Sequence, residues 1–421
     1  MDKTVEAYSS VCEKTPKLCP RLVPSPIWGL SLAQLARMES RIASVMSDNY
    51  PALVEKISEY WLSLNRKGRC EVCGGAGSEI DEEWLYFVLD EKGKPVSIDT
   101  VKGKIGNFEG LGYLSGLRLL CPRCHLAKHQ GYASTKGRER EALEQFRKVN
   151  RLGSLEEARK LVNQTFSIHS LLSDIKKWRI QIGRLEELGE EIQESVQKLL
   201  NHMYSSGFRV QGGWLNYTSP KETRAKQEAF TVLAEVRKKA GEGHYGDKVW
   251  ITHLLETMKD RLEVGGVSVS EREFILFVRL LLDELKGAGL FEQSFVENSV
   301  GKWIVRVPND TYEKIFRRTM EALEESELAY RAKILCENLN KNLLPIIVYS
   351  PTSFAPRYIS AVANVLKNVL NEFQLTGEMY YKPDIFTHKD VYSKRGQRAS
   401  IYSYTYWDKV RADNGKLHKL L

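Results

Sequence analysis

Two Cys-x-x-Cys pairs constrain this chain of 421 residues more than any other feature of its sequence. Cys70 and Cys73 form the first pair, and Cys121 and Cys124 form the second. Each pair can turn both sulfurs toward one ion, and four thiolates are the donor set of a closed tetrahedral zinc site. The segment between the pairs is longer than in a compact zinc ribbon, so we expect it to hold a hairpin of its own. The sequence therefore predicts structural zinc bound by these four cysteines.

Two histidines follow the second pair at helical spacing. His125 and His129 are four residues apart, so a helix that begins at the second pair would present both imidazoles on one face. Imidazoles placed in this way can bind a second metal ion or contact a phosphate. We therefore expect a polar site beside the zinc.

The spacing of these residues resembles that of the HNH, or ββα-metal, nucleases. The likeness extends from Cys19 to about Trp178, and the residues that carry it are Cys70-Glu-Val-Cys73-Gly, Glu83-Trp84-Leu-Tyr86 and Leu120-Cys121-Pro-Arg-Cys124-His125-Leu-Ala-Lys128-His129. The resemblance implies that zinc knuckles brace a hairpin and a helix. It also implies that a hairpin histidine activates water and that a helix histidine binds the catalytic cation.

The chain departs from this pattern at the hairpin histidine. It reads Asp81-Glu82-Glu83-Trp84 where the family has His-Glu-x-Trp, so Asp81 replaces the expected general base. A carboxylate near its usual pKa accepts a proton at neutral pH less readily than imidazole does. We therefore expect a zinc-stabilised protein that binds nucleic acid through a degenerate HNH-like module.

Two alternatives to nucleic-acid binding remain open. In the first, the chain is a metal-dependent endonuclease that uses Mg²⁺ or Mn²⁺, and the candidate catalytic residues are Asp81, Glu82, His125 and His129. His129 would bind the cation, with Asp81 or Glu82 as its second ligand. In the second, the zinc is purely structural and the helices present a docking surface for a protein partner. Binding that weakens steeply as salt rises would favour a nucleic-acid partner over a protein partner.

The composition is that of a folded protein with a modest positive charge. The net charge of +8 and the pI near 8.9 agree with an anionic partner. The N-terminus lacks the form of a signal peptide, and no stretch approaches the roughly twenty apolar residues of a membrane span. Seven cysteines, an odd number, favour a reducing compartment, where we expect Cys12 and Cys19 to stay free thiols. These features predict a cytoplasmic protein with no membrane partner.

Hydrophobic periodicity predicts an α+β fold in four segments. They are an N-terminal helical cover over 1–65, an HNH-like zinc-knuckle ββα module over 66–165, a helical connector over 166–295, and a C-terminal α/β domain over 296–421. The connector is predicted to contain helices at 249–262 and at Ser270–Leu285, either as a winged-helix element or as plain helices. It is a candidate surface for a protein partner. The C-terminal domain is expected to hold a mixed β-sheet with helices on one face.

Three local predictions follow from the same patterns. Trp84–Leu89 and Pro95–Thr100 read as the two strands of a hairpin. The glycine-rich stretch Asn107–Gly112 reads as a loop. The apolar rhythm from Leu171 to His202 reads as one long helix.

The C-terminal segment has a resemblance of its own. Gly301-Lys302-Trp303, Ala332-Lys333-Ile334 and the run from Tyr380 to Thr387 resemble the basophilic-leukaemia-expressed-protein family over about 300–405. The resemblance implies a fold like that of the cap-binding translation initiation factor. It does not imply cap binding, because neither Trp303 nor Trp407 matches a cap-binding position. It is the reason why we favour RNA or a ribonucleoprotein over DNA.

Basic and aromatic residues are the candidate contacts to nucleic acid, because cations can bind phosphates and aromatic rings can stack on bases. The alternative for each group is an ordinary solvated surface. The candidates are Lys128, Lys136, Arg138 and Arg140 beside the histidines, and Lys382, His388, Lys389, Lys394, Arg395, Arg398, Tyr402 and Tyr404 in the C-terminal domain.

Overall fold

A computed structural model divides the chain into two compact units, Met1–Gly213 and Trp214–Leu421. It describes residues 5–64, 68–101, 107–183, 185, 188–241, 267–287, 297–391 and 400–405. Both units combine helices with a sheet, which confirms the predicted α+β class. The predicted connector, 166–295, crosses the division between the units.

A four-stranded sheet with the order β2-β1-β3-β4 forms the centre of the first unit. Its strands are β1 (Glu79–Leu89), β2 (Pro95–Val96), β3 (Glu109–Leu120) and β4 (Lys177–Ile182). β1 and β3 pair antiparallel along their whole length, and β4 pairs parallel to β3. The β1–β3 pair is the longest of the sheet, and β4 extends the sheet by one strand.

The predicted hairpin is confirmed where β1 pairs with β2. Its turn is closed by Asp90, whose carboxylate accepts from the backbone N–H groups of Lys92 and Lys94 at 2.9 and 2.8 Å. The second strand is shorter than predicted, because the chain turns into a helix over Ile98–Val101.

Two predictions about this sheet are wrong. The stretch Asn107–Gly112 is not a loop, because β3 begins at Glu109. Its glycines leave room for side chains of β4, Trp178 beside Gly110 and Ile180 beside Gly112. The predicted helix from Leu171 to His202 is interrupted by β4. In β4, buried Trp178 and Ile180 alternate with exposed neighbours, a period of two that places one face of the strand in the core.

The helices of the first unit range from 4 to 19 residues, and a 3₁₀ turn lies at Ser25–Ile27. Ser31 and Ser154 cap two of the helices, since their hydroxyls accept from the N–H groups of Gln34 and Glu157. The helices are Ser9–Cys12, Leu32–Leu35, Ser40–Ala43, Pro51–Leu64, Ile98–Val101, Pro122–Lys128, Gln130–Thr135, Glu139–Asn150, Leu155–Ser173 and Glu190–Ser205, and β5 is Phe208–Gln211.

The expectation that Cys12 and Cys19 are free thiols is wrong. They form a disulfide, with their Cα atoms 5.0 Å apart. The chain reverses direction after the short helix Ser9–Cys12, which brings the two cysteines within bridging distance. Sequence spacing does not reveal this reversal.

The second unit is built on antiparallel strand pairs in the order β6-β9-β10-β8-β11-β12-β7. The strands are β6 (Trp214–Thr218), β7 (Val267–Val269), β8 (Gly301–Pro308), β9 (Arg331–Leu335), β10 (Leu343–Ser350), β11 (Glu378–Pro383) and β12 (Tyr402–Thr405). Its helices are Arg224–Gly241, Glu271–Gly287, Tyr312–Glu325, Pro356–Glu372 and Asp384–His388.

The predicted mixed character of this sheet is wrong for the described strand pairs, and the connections explain why. The helix Tyr312–Glu325 carries the chain from β8 to β9, but β10 lies between those two strands. The helix Pro356–Glu372 likewise joins β10 to β11, with β8 between them. Each crossover therefore returns to a parallel strand that has an antiparallel strand in between, a split βαβ arrangement.

Part of the connector lies outside the described residues. The helix expected at 249–262 falls in this part, so the winged-helix interpretation stays a prediction. The helix expected after Ser270 is confirmed as Glu271–Gly287. Of the helices in the described ranges, none has the length and apolar content that crossing a bilayer requires.

The glycines of β3 give the first testable prediction. A Cβ at Gly110 would lie 2.4 Å from the Trp178 indole, whereas a Cβ at Gly116 on the same strand would meet nothing within 4 Å. We expect Gly110→Ala to lower the free energy of unfolding by about 1–3 kcal/mol, and Gly116→Ala to change it by less than about 0.5 kcal/mol. Urea denaturation of both variants checks this, and equal losses would contradict the packing of Trp178 on β3.

Candidate metal centre

Strand pairing brings the four knuckle cysteines together. Glu79, at the start of β1, pairs with Leu120, at the end of β3. The first cysteine pair precedes β1 and the second follows β3, so the antiparallel pairing places both pairs at the same end of the sheet. The sulfurs of Cys70, Cys73, Cys121 and Cys124 all lie within 4.8 Å of one another.

Backbone hydrogen bonds hold the first knuckle against β3. The N–H of Gly74 donates to the carbonyl of Cys70 at 2.8 Å, and Gly74 has a φ of +75°, a conformation that favours glycine. The N–H of Glu71 donates to the carbonyl of Leu119 at 2.9 Å, and the Glu71 carboxylate accepts from the N–H of Leu119 at 2.9 Å. These contacts hold the turn of Cys70 and Cys73 against the end of β3.

The second knuckle opens a helix. Cys121 caps Pro122–Lys128, and its sulfur accepts from the N–H of Cys124 at 3.4 Å. The side-chain amide of Gln145 donates to the sulfur of Cys124 at 3.2 Å. Four soft donors at one point, with N–H groups aimed at two of them, form a group that can hold a metal ion such as zinc.

A second donor group combines Asp81 of β1 with His125 in the same helix and His129 directly after it. The ligand atoms of Asp81, His125 and His129 lie within 4.8 Å of one another. The Nε2 atoms of His129 and His125 are 3.0 and 3.7 Å from Oδ1 of Asp81. Donor atoms that bind one divalent ion at about 2.0–2.2 Å have separations of this size. The structure thus joins three of the four predicted catalytic residues.

Exposure differs across this second group. The Asp81 side chain is 5% exposed, whereas those of His125 and His129 are 33% and 39% exposed. The carboxylate forms the floor of the group, and the imidazoles form its rim. An ion held there would keep a side open to solvent.

Glu79 contacts this group through His125, and the sequence-based interpretation omitted it. Its carboxylate contacts Nδ1 of His125, the ring nitrogen that faces away from Asp81. A carboxylate on the far nitrogen of a metal-binding histidine fixes the orientation of the ring. Glu79 and Asp81 are two residues apart on β1 and therefore share a face. The two-residue period of a strand could have predicted this from the sequence.

Burial and the neighbouring Lys128 and His129 have opposite effects on the pKa of the Asp81 carboxyl. Burial favours its neutral form, but the ammonium group of Lys128 and the hydrogen bond with His129 outweigh burial and hold its pKa well below the ordinary range. Burial and the nearby His129 lower the pKa of His125. An ionised carboxylate beside a neutral imidazole is the state that binds a metal ion.

Lys128 is buried and is not available to a phosphate. Its side chain is 6% exposed, its ammonium pairs with Asp81, and it also donates to the carbonyl of Glu82 at 2.7 Å. The prediction that Lys128 contacts nucleic acid is therefore wrong, because such a contact would leave the buried Asp81 carboxylate without its counter-charge.

Glu82 lies on the opposite face of β1 from Asp81. Its carboxylate accepts from the N–H of Ala33 at 2.8 Å and from Nε1 of Trp84 at 2.7 Å, and the residue is buried. The proposed role of Glu82 as a second cation ligand is wrong, since successive residues of a strand point to opposite faces. Burial raises the pKa of Glu82 to about 7.

The other candidate contacts of the first unit are exposed but paired. Arg138 and Arg140 form ion pairs with Glu141 and Glu144 at 2.8 and 3.0 Å. The ammonium of Lys136 lies 5.5 Å from the centre of the Tyr132 ring. These side chains flank the helix of the histidines without adding a strong positive patch to it.

The C-terminal candidates do not form one surface in the described residues. Tyr402 is fully buried and donates to the carbonyl of Ser353 at 3.1 Å, so its predicted stacking role is wrong. Lys382 is also buried and donates to the carbonyl of Val391 at 3.1 Å. The other candidates fall into three sets: exposed His388 and Lys389, Tyr404 in β12, and Lys394, Arg395 and Arg398 outside the described residues.

The sulfur group gives a second prediction. We expect Cys124→Ser to lower the zinc content of the purified chain by about one equivalent, because one hydroxyl cannot replace a thiolate in a four-thiolate site. The matched control is Cys336→Ser, which changes a buried cysteine of the second unit. Elemental analysis after dialysis against a weak chelator measures both. Equal zinc in Cys124→Ser and the unmodified chain would contradict the assignment.

Glu82 gives a prediction for pH. Because its pKa in the fold, about 7, exceeds the ordinary 4.5, its contribution to stability is fully present below pH 4.5 and is lost as pH rises through about 7. Glu82→Gln leaves one buried N–H without an acceptor and should cost about 1–3 kcal/mol in acid. We expect this cost to shrink as pH rises, and urea denaturation across the range measures it. A cost that stays constant with pH would refute the raised pKa.

The two donor groups both draw on the helix Pro122–Lys128, which contains Cys124 and His125, and each uses residues that the sequence had marked. The chain matches no protein-family model, and no curated protein is significantly similar to it. The chemistry of the centre therefore has to be inferred from its own donor atoms.

Proposed function

We propose that this chain is a zinc-stabilised protein that binds the phosphate backbone of a nucleic acid through a second divalent cation. Zinc would be held by the four cysteines, and the second cation by Asp81, His125 and His129. The convergence of these last three residues is the observation that carries the proposal. The order strand, strand, helix around them agrees with the arrangement that the HNH resemblance implies.

The charges around the second group support a role for a cation. Asp81 and Glu79 place two carboxylates beside the histidines, and the nearest buried ammonium, Lys128, pairs with one of them. Without a cation these carboxylates would repel a phosphate. A divalent ion would reverse the local charge and could bridge the protein to a phosphate oxygen. Binding at this point should therefore depend on the metal.

Phosphodiester cleavage is the second candidate function, and the exposed rim of the group favours it. The two imidazoles leave one side open, where a bound ion could also polarise a phosphate and lower the pKa of a water ligand. Asp81 itself cannot serve as the general base at neutral pH, because its pKa lies well below the ordinary range and Lys128 neutralises it. Any cleavage would rely on the metal for activation of water.

The experiment measures binding and cleavage together. Fluorescently labelled single- and double-stranded RNA and DNA are titrated with the full chain in Mn²⁺, in Mg²⁺ and without added divalent ion, at zinc contents checked to be equal. We expect binding to be tightest with a divalent ion, and His129→Ala to weaken it about tenfold or more. The same samples are run on denaturing gels, where metal-dependent products would establish the second candidate.

The control is His202→Ala, which removes a partly exposed histidine of the first unit that contacts Tyr50 and Ser206. It should bind like the unmodified chain. Tight binding that depends neither on the divalent ion nor on His129 would contradict the proposed cation site. An absence of any binding to all four nucleic acids would contradict the proposed function as a whole and favour a docking protein.

A further inference from the structure

One face of the second unit's sheet carries a row of cations around an aromatic ring. In the strand register, Tyr349 on β10 lies opposite Lys302 of β8 on one side and Arg331 of β9 on the other. Lys302 in turn lies opposite Lys382 of β11. Lys333 follows in the next row, opposite Ile347. Directly paired residues of antiparallel strands share a face, so these side chains lie together.

The opposite face of the same strands is buried beneath a helix. Trp303 is fully buried there, and its indole N–H donates to the carbonyl of Ile359 in the helix Pro356–Glu372 at 3.0 Å. Tyr381 lies on this buried face as well, with a ring contact to Trp303. The cationic row therefore belongs to the face that points away from this helix. On that face Lys302, Lys382 and Tyr349 are buried, Lys333 is half-buried and Arg331 is exposed.

Three cations surround the Tyr349 ring. Arg331, Lys302 and Lys333 lie 5.0, 5.5 and 5.6 Å from its centre. Lys333 also lies 4.7 Å from the centre of the Trp214 ring. Aromatic faces attract cations, which explains how like charges can gather here.

One carboxylate, that of Asp384, forms an ion pair with the described cations around the Tyr349 ring. Lys302 pairs with Asp384, whereas no carboxylate among the described residues forms an ion pair with Arg331 or Lys333. Burial, together with the charges of Lys302 and Arg331, lowers the pKa of Lys333. An anion bound beside these side chains would relieve this repulsion.

Aromatic rings border the same row. Trp214 is half-buried, and Tyr380, opposite Ile304 on the same face, is 41% exposed. Cations for a phosphate next to flat rings for a base are the combination that binds nucleotides and single strands. We propose that this face binds a nucleoside phosphate, free or within a single strand, with its phosphate on Arg331 and Lys333 and its base on Trp214 or Tyr380. The site goes beyond the proposed function, because it needs neither metal group.

Isothermal titration of the full chain with AMP, adenosine, inorganic phosphate and a short oligoadenylate tests this site. We expect AMP to bind about tenfold or more tightly than either adenosine or phosphate, because only AMP engages both parts of the site. Arg331→Gln and Lys333→Gln should each weaken AMP about tenfold, because each removes a charged contact to the phosphate. Trp214→Leu combined with Tyr380→Leu should weaken AMP and leave phosphate unchanged.

The matched control is Lys314→Gln, which neutralises an exposed lysine of the helix Tyr312–Glu325 and should leave AMP binding unchanged. His129→Ala should also bind AMP like the unmodified chain. The titration therefore tests the nucleotide site independently of the proposed cation site. If the oligoadenylate binds more tightly than AMP, the ligand is a single strand. If the two bind equally, the ligand is a free nucleotide, and both results support the site. AMP that binds no more tightly than phosphate, or that is unaffected by Arg331→Gln and Lys333→Gln, would overturn it.

Discussion

The antiparallel pairing of β1 with β3 is the constraint on which the first unit's chemistry depends. Because Glu79 pairs with Leu120, the segments outside the two strands meet at one end of the sheet. Those segments contain the two cysteine pairs, so the register of one strand pair assembles the four sulfurs. The same register places Asp81, two residues into β1, against the helix that carries His125 and His129. A shift of one residue would turn Asp81 to the other face.

A buried ion pair connects this scaffold to the site. Lys128 neutralises Asp81 from the interior, and Asp81 presents its other oxygen to His129 on the solvent side. Loss of the lysine would leave an uncompensated buried carboxylate, an arrangement that typically costs about 3–5 kcal/mol. The lysine therefore stabilises the charged form of the carboxylate without competing for the oxygen that faces the histidines. The two oxygens of this one side chain thus face different partners, Lys128 in the interior and His129 on the solvent side.

Local signals predicted the parts of the centre that depend on spacing, and missed those that depend on strand parity or on distant contacts. Two Cys-x-x-Cys pairs and the His125–His129 spacing suffice to mark the donors. The parity of β1 already assigns Glu79 to the face of Asp81 and Glu82 to the other, but it can be used only once the strand is recognised. The alternation of apolar and polar residues around Trp178 likewise predicts the strand β4. The helical spacing of apolar residues on either side concealed this short strand. No spacing rule could reveal the disulfide of Cys12.

The most direct test of the two-site centre is anomalous diffraction from crystals of the full chain grown with zinc and then soaked in manganese. Data at the zinc edge should show one peak enclosed by the four cysteine sulfurs, at about 2.3 Å from each. A separate manganese peak should lie between the Oδ1 atom of Asp81 and the Nε2 atoms of His125 and His129. A zinc peak among the sulfurs with no ion at Asp81 would contradict the cation site, and the absence of both peaks would contradict the metal centre as a whole.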